Sequence, residues 1–346
     1  MMEPLVSSPR MAQKAICLYC GGSELQLAYR GVRDRLGFVP GEREFWQCQE
    51  CGSLVLHPIP RWEEVASFYP PVYTFTYDLA EANSLKRRLT RWEYRAFYRP
   101  QYHGQANIVL RHLAHQPPPG RKLLDIGCGR GLRLLEFRAR GWDVHGADFD
   151  SACVHYLRHT LGIPAVCADA ASVGQHYPHH SFDLVTAFHL LEHLPDVSSV
   201  LAVGFDLLKP GGWLAIACPL ADNPGLRLFG THWCAVSEAP RHMTIPSRRG
   251  LILAAMNHGF QNPTVLPDHF FQCAATYALS AVPMANTTSA MARGFVGALT
   301  ARLLGGIGLI GGLLARAIEI TSGAAPSCGI LLARKPAREA APEVVS

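Results

Sequence analysis

The sequence predicts an α/β protein: an open, mostly parallel sheet with helices on both faces, preceded by a small cysteine-bearing module. Three observations carry this expectation. Residues Lys122 to Gly131 read KLLDIGCGRG, an apolar run that meets Asp125 and then glycines at 127, 129 and 131. That is how a buried parallel strand ends in a tight turn before a helix. Strand-then-helix units recur downstream as far as the turn Lys209-Pro-Gly-Gly212. Upstream, two C-x-x-C pairs, Cys17/Cys20 and Cys48/Cys51, stand 27 residues apart.

At 346 residues the chain holds one large domain plus a smaller module. Charged residues make up 17% and hydrophobic ones 49%, which describes a core-forming chain and excludes a disordered one. A net charge of +5 is mild and leaves phosphorylated substrates, nucleic acid and membrane surfaces open as partners. No apolar run follows the first methionine, so a secretory signal is not expected. Eleven cysteines then read as reduced thiols, some of them on metal, in a cytoplasmic protein.

Residues 1–14 lack periodicity and read as a loose tail, and 15–70 read as the module. Each C-x-x-C is followed by glycine, whose turn lets four thiolates surround one Zn²⁺. A redox pair is the competing reading, but it favours a helix start within a βαβ unit. With Cys17, Cys20, Cys48 and Cys51 as ligands, no position is left for water or substrate, so the metal is expected to be structural. So short a segment also lacks the area for a self-sufficient core. Glu44–Cys48 and Ser53–Leu56 read as its strands. The module is not rich in Lys or Arg, which speaks against a nucleic-acid ribbon.

Residues 71–120 form a connector. Ser84–Arg99 carries Lys86, Arg87, Arg88, Arg91, Arg95 and Arg99 against Glu93 alone, with Leu85, Leu89 and Trp92 at helical spacing. This predicts an amphipathic helix capped by Ser84 and ended by Pro100. Its basic face reads either as solvated or as a contact for a diphosphate, an acidic lipid or RNA. A second helix is expected over 105–115, then a linker at Gln116–Gly120.

In the main domain, residues 121–335, a helix follows Gly131, and Asp143–Asp148 gives a second strand with an acid at its carboxyl end. An acid one crossover after the glycine turn is placed to hold ribose hydroxyls. Ala165–Ala170 is a third strand carrying Asp169, and Ser181–Phe188 a fourth, followed by His189-Leu-Leu-Glu-His193-Leu-Pro-Asp. The dinucleotide fingerprint is absent, because Leu132 stands where its third glycine would fall.

These residues together resemble the class I S-adenosylmethionine (SAM)-dependent methyltransferases. DIGCGRG, FDLV…LEHLPD and KPGG occur in that family's order. CGSLVLHPIP, after the second cysteine pair, resembles the zinc-binding module of its sugar, glycan and secondary-metabolite members. The resemblance implies a Rossmann-like seven-stranded sheet whose last strand, Gly329–Lys335, runs antiparallel. It implies SAM at Asp125, Gly127, Cys128, Gly129, Gly131, Asp148, Phe149, Asp169, Ala170 and His189. Asp169 would meet the adenine amino group, although a loop acid or helix cap is the plainer reading.

Methyl transfer from a sulfonium depends mostly on placement of the acceptor, with a base needed only where a proton must leave. His193 and His242 are the candidate catalytic residues, each also readable as a loop-fixing hydrogen-bond partner. The segment Thr231–Ser247 resembles the family stretch in which a tryptophan, here Trp233, and Pro240-Arg241-His242 line the acceptor side. Arg241 is a candidate clamp for an acidic group.

Between the sixth and last strands lies an apolar insertion, 268–323; Phe295–Ala315 carries only Arg302 as a charge, with six glycines. It is long enough to cross a bilayer, but a crossing would separate the last strand from its sheet. Packed helices or an interfacial contact through 295–316 are therefore expected. Residues 336–346 read as a tail. The expected function is methyl transfer to a small or lipid-linked metabolite, such as a sugar or glycan intermediate. The alternatives are an RNA or protein methyltransferase and a non-catalytic SAM-fold binding protein; nucleic acid is disfavoured as a partner.

Overall fold

The computed structural model describes residues 16–69, 95, 98–281 and 310–337. The expectations for the tails, for most of the basic helix, and for the centre of the apolar insertion lie outside these residues. Two sheets are formed. The larger has seven strands: β4 (Lys122–Ile126), β5 (Asp143–Asp148), β6 (Ala165–Cys167), β7 (Phe182–Phe188), β8 (Leu208–Pro219), β10 (Gln261–Pro267) and β11 (Cys328–Arg334). Their spatial order is β10-β11-β8-β7-β4-β5-β6. Strands β4 to β8 pair in parallel, whereas β11 is antiparallel to both β8 and β10. This is the expected α/β sheet.

The chain runs outward from β4 through β5 to β6, then returns to the other side of β4 with β7. Reversal there opens a crevice at the carboxyl ends of β4 and β7, the place where open α/β sheets bind ligands. β7 is buried along its whole length. Apolar clusters lie on both faces of the sheet, one containing Leu124, Val185 and Leu214, the other Leu123, Leu184 and Ala215. Neighbouring residues on one strand point to opposite faces, so a near-continuous apolar run is what a doubly covered strand requires.

The smaller sheet, β1-β2-β3-β9, contains β1 (Leu25–Val32), β2 (Arg43–Cys48), β3 (Leu54–His57) and β9 (Thr244–Ile245). Its last strand comes from within the main domain, between β8 and β10. Leu54 pairs with Ile245, and Val55 with Thr244. The module is thus joined to the segment that the sequence assigns to the acceptor side.

Local readings differ in three places. Pro100 does not end a helix; it lies in the first turn of the helix Arg99–Leu113, where its missing N–H has no intrahelical partner to lose. The helix after β5 is α-helical only over Ser151–Tyr156 and continues as a π turn, Leu157–Leu161, to a left-handed Gly162. Trp233 is fully buried against Phe229 and Tyr277 and belongs to the core beneath the acceptor segment.

Candidate active site

The glycine turn after β4 is built by three residues with positive φ: Gly127 (71°), Gly129 (52°) and Gly131 (70°). Side chains rarely accept this region, which explains the spacing read from the sequence. The Gly127 and Cys128 amides donate to Ala147 O, at 2.8 and 3.1 Å, tying the turn to β5. The Cys128 side chain is buried; a Cβ added at Gly146 would come within 2.7 Å of its sulfur.

Asp125 and Asp148 end adjacent strands. Asp148 accepts from Gly129 N at 2.7 Å and from Asp150 N at 2.9 Å, and its burial raises its pKa against those bonds. Asp125 accepts from the Thr186 hydroxyl at 2.7 Å through Oδ1, while its buried Oδ2 has no partner. Burial pushes the Asp125 carboxyl up to about 6, with Arg133 and Thr186 only partly opposing it. A buried oxygen left unpaired is uncommon, and it fits a ligand that brings a donor.

Phe149 follows Asp148 and is 60% exposed, an open ring beside the turn. Asp169 serves as a cap: its Oδ1 accepts from Ala171 N, Ser172 N and the Ser172 hydroxyl, and its carboxyl is held below the usual range by them. Ala170 is buried behind it.

After β7 the backbone turns through His189, itself at φ 55°. The His189 ring lies between Glu192 (3.4 Å) and Asp268 (3.7 Å). Burial alone would lower its pKa, but these two carboxylates more than offset that and raise it to about 9.

His193 and His242 meet across this turn, with ring centroids 4.7 Å apart. His193 Nδ1 lies 3.2 Å from Arg241 O and 2.9 Å from the Tyr69 hydroxyl. His242 Nδ1 lies 2.8 Å from Ala235 O. A carbonyl only accepts, so His242 Nδ1 donates to Ala235 O, whereas His193 Nδ1 can either donate to Arg241 O or accept from the Tyr69 hydroxyl. Burial, reinforced by the neighbouring His242, pushes His193 down to about 4. The loop is held to the acceptor segment by Met243 N donating to Glu192 O at 2.7 Å.

Tyr69 links the two halves of the site. Its ring is 6.4 Å from Phe149 and 6.2 Å from His193. Sequence reasoning assigned Tyr69 no role, because nothing local signals a partner 124 residues away. Arg241 clamps an acid, as its residue type suggested, but the acid is Asp34 of the N-terminal module, at 3.0 Å and 2.5 Å through two nitrogens. Both side chains are buried.

In the module, Cys17 Sγ stands 3.5 Å from Cys51 Sγ and Cys20 Sγ 3.5 Å from Cys48 Sγ; all four sulfurs lie within 4.8 Å of one another. Gly22 N points at Cys20 Sγ at 3.4 Å, and the Ser53 hydroxyl lies 3.2 Å from Cys51 Sγ. Four converging sulfurs with hydrogen-bond donors around them suit a tetrahedral thiolate site.

A seven-stranded sheet with an antiparallel β11, a glycine turn after β4 and acids ending β4 and β5 defines a class I SAM-dependent methyltransferase domain. Residues 94–265 match the family model described as "Methyltransferase domain", and they belong to that class. Among curated relatives, the ubiquinone biosynthesis O-methyltransferase of Chromobacterium violaceum is 35% identical over 105 residues, 29% of this chain and 45% of that one. Its namesake from Pseudomonas fluorescens is 34% identical over 115 residues, 32% and 49%. The chain spans about half the length of these relatives. Among solved structures, geranyl diphosphate C-methyltransferase from Streptomyces coelicolor A3(2) aligns over 74% of this chain and 86% of its own, at 18% identity and TM-score 0.45.

Proposed function

We propose that the chain transfers a methyl group from SAM to a hydroxyl of a small metabolite, with a sugar or glycan intermediate as the acceptor class. The observation that carries the reading is the pair of buried acids at the crevice, Asp148 on the glycine turn and Asp125 with an unpartnered oxygen. When bound, SAM supplies an electrophilic methyl on a sulfonium. The amides of Gly127 to Gly131 and Asp125 would hold its amino-acid portion, Asp148 its ribose hydroxyls, and Phe149 with Asp169 and Ala170 its adenine. His189, charged between two carboxylates, would fix the turn that carries His193.

His193 and His242 would face the acceptor, each able in its Nδ1–H tautomer to take the hydroxyl proton on Nε2. The names of the curated relatives favour oxygen as the methylated atom. The four-sulfur cluster supports a structural Zn²⁺.

Calorimetry with SAM tests the reading. Wild-type protein binds SAM, and Asp148→Ala binds about 10- to 100-fold more weakly, as expected for losing charge-assisted hydrogen bonds of about 1.5–3 kcal/mol. Wild-type protein without SAM affinity would overturn it. Turnover of methyl-labelled SAM with glycan and metabolite extracts then identifies the acceptor.

A lipid-linked acceptor is the narrower version of this reading. Among the described residues no helix is long and apolar enough to cross a membrane. The helical segment 310–322 leaves Ile310, Leu314 and Ile318 exposed at four-residue spacing, a stripe suited to an interfacial contact. Co-flotation with anionic lipid vesicles, lost on Leu314→Glu, is the expected result; no flotation of the wild type rules the contact out.

A further inference from the structure

Glu192, His193 and His242 bring one carboxylate and two imidazoles together, their ligating atoms all within 4.8 Å of one another. His193 Nδ1 lies 3.2 Å from Arg241 O and 2.9 Å from the Tyr69 hydroxyl, and His242 Nδ1 lies 2.8 Å from Ala235 O. Metal-bound histidines are oriented by such contacts at the nitrogen that does not face the ion, which would leave each Nε2 to coordinate; His242 Nε2 also stands 3.9 Å from Glu238 Oε2. Glu192 is 1% exposed. One of its oxygens, Oε1, faces His189 at 3.4 Å; the other, Oε2, is buried without a partner.

A carboxylate taken out of water with one oxygen unpaired is costly. His189 meets part of its charge, and an imidazole nitrogen that keeps its lone pair cannot donate to Oε2. An acceptor oxygen and two acceptor nitrogens that converge in a buried site share one requirement: a cation.

We propose that Glu192, His193 and His242 form a binding site for a divalent transition-metal ion, separate from the cysteine site. Two imidazoles and a carboxylate suit Zn²⁺, Fe²⁺, Co²⁺ or Mn²⁺ and leave coordination positions open. At metal–ligand distances of about 2.1 Å two ligands of a tetrahedral site stand about 3.4 Å apart, so from separations of up to 4.8 Å closing the site takes side-chain movements of up to about an ångström. His189 then acts from outside the metal, holding Oε1 while Oε2 turns to the ion.

The ion would serve the methyl acceptor, and that part rests on the methyl-transfer reading. An acceptor with an oxygen at an open position would be oriented and acidified there, in place of proton uptake by the two imidazoles, whose lone pairs the ion would occupy. The metal site itself does not depend on what the acceptor is.

Titration of full-length, zinc-loaded protein with Co²⁺ tests the site. The expected result is one further equivalent of metal per chain, with visible cobalt bands and no thiolate-to-cobalt charge-transfer band, because no sulfur is in the set. Glu192→Gln and His242→Asn should each weaken that equivalent at least tenfold. Both should retain the cysteine-bound zinc and, as a check on folding, cooperative unfolding.

Absence of a second equivalent in the wild type overturns the proposal, and so does a second equivalent unchanged in both variants. A chain that binds cobalt here but no SAM keeps the metal site and loses the methyl-transfer reading. A chain that turns over fully with only the cysteine-bound zinc keeps the methyl-transfer reading and overturns the ion's part in it.

Discussion

Cys17→Ser combined with Cys48→Ser is expected to abolish the zinc binding proposed for the cysteine cluster and to unfold the N-terminal module. In small metal-dependent modules the free energy of zinc binding is folding free energy, about 10–16 kcal/mol in isolated zinc-finger peptides. Here the buried side chains Val32, Phe45, Leu54 and Leu56 of β1, β2 and β3 share their cluster with Trp233 and Ile245 of the main domain, and three of the four cysteines are buried. Cys17, Cys48 and Cys51 pack in the same apolar cluster as Leu191, Leu251 and Ala254. Loss of the metal therefore reaches the catalytic domain. Metal analysis should fall by one zinc per chain, and limited proteolysis should open residues 16–69. SAM affinity should fall far less than turnover, since the glycine turn lies outside the module. A metal-free variant that stays protease-resistant would refute the module's dependence on the metal, and a variant that keeps its zinc would refute the site.

The second large effect is expected at Arg241. Arg241→Met leaves the Asp34 carboxylate buried without its cation, and breaking a buried pair from one side costs about 3–5 kcal/mol. Urea denaturation at pH 7 should show that loss. Asp34 also accepts from Leu36 N, Phe38 N and Val39 N, so it shapes its own loop as well as meeting Arg241. The double variant Asp34→Asn/Arg241→Met keeps an acceptor for that loop and removes the stranded charge, and it should recover part of the loss.

The pH dependence follows from the sign of the shift. Burial alone would raise the Asp34 carboxyl, but Arg241 and the Leu36 and Val39 amides outweigh burial and hold it below the usual range. A depressed carboxylate contributes its stability above the unfolded value of about 3.9 and loses it as pH falls through the folded value. The gap between wild type and Arg241→Met should therefore be constant through neutral pH and close only in acid. A gap that closes near pH 7 would mean that another group carries the effect.

The parallel sheet was legible because each of its strands announces itself locally. An apolar run ends in an acid at Asp125, Asp148 and, two residues past β6, Asp169, and turn residues follow. The cysteine cluster was legible for a related reason: thiolate spacing is a local constraint on a single ion. Asp34–Arg241 and Tyr69–His193 were not, because each joins residues more than 100 positions apart with no periodicity between them. β9 is two residues long, too short to leave an alternation. Trp233 was assigned to the acceptor side by resemblance, yet a large aromatic beside Phe229 and Tyr277 gains more from burial. The convergence of Glu192 with His242 depends on β9 docking the acceptor segment, so it was equally out of reach.

That two-residue strand has a consequence for recombination. β9 completes a sheet whose other three strands arrive from the opposite end of the chain, and the Asp34–Arg241 pair locks the same seam. Grafting a foreign module in place of residues 16–69 would strand both halves, whereas moving 16–69 together with 231–247 preserves the pairing. Acceptor choice in this architecture would then be exchanged as a two-piece cassette, with the sheet bearing the glycine turn left as a common chassis.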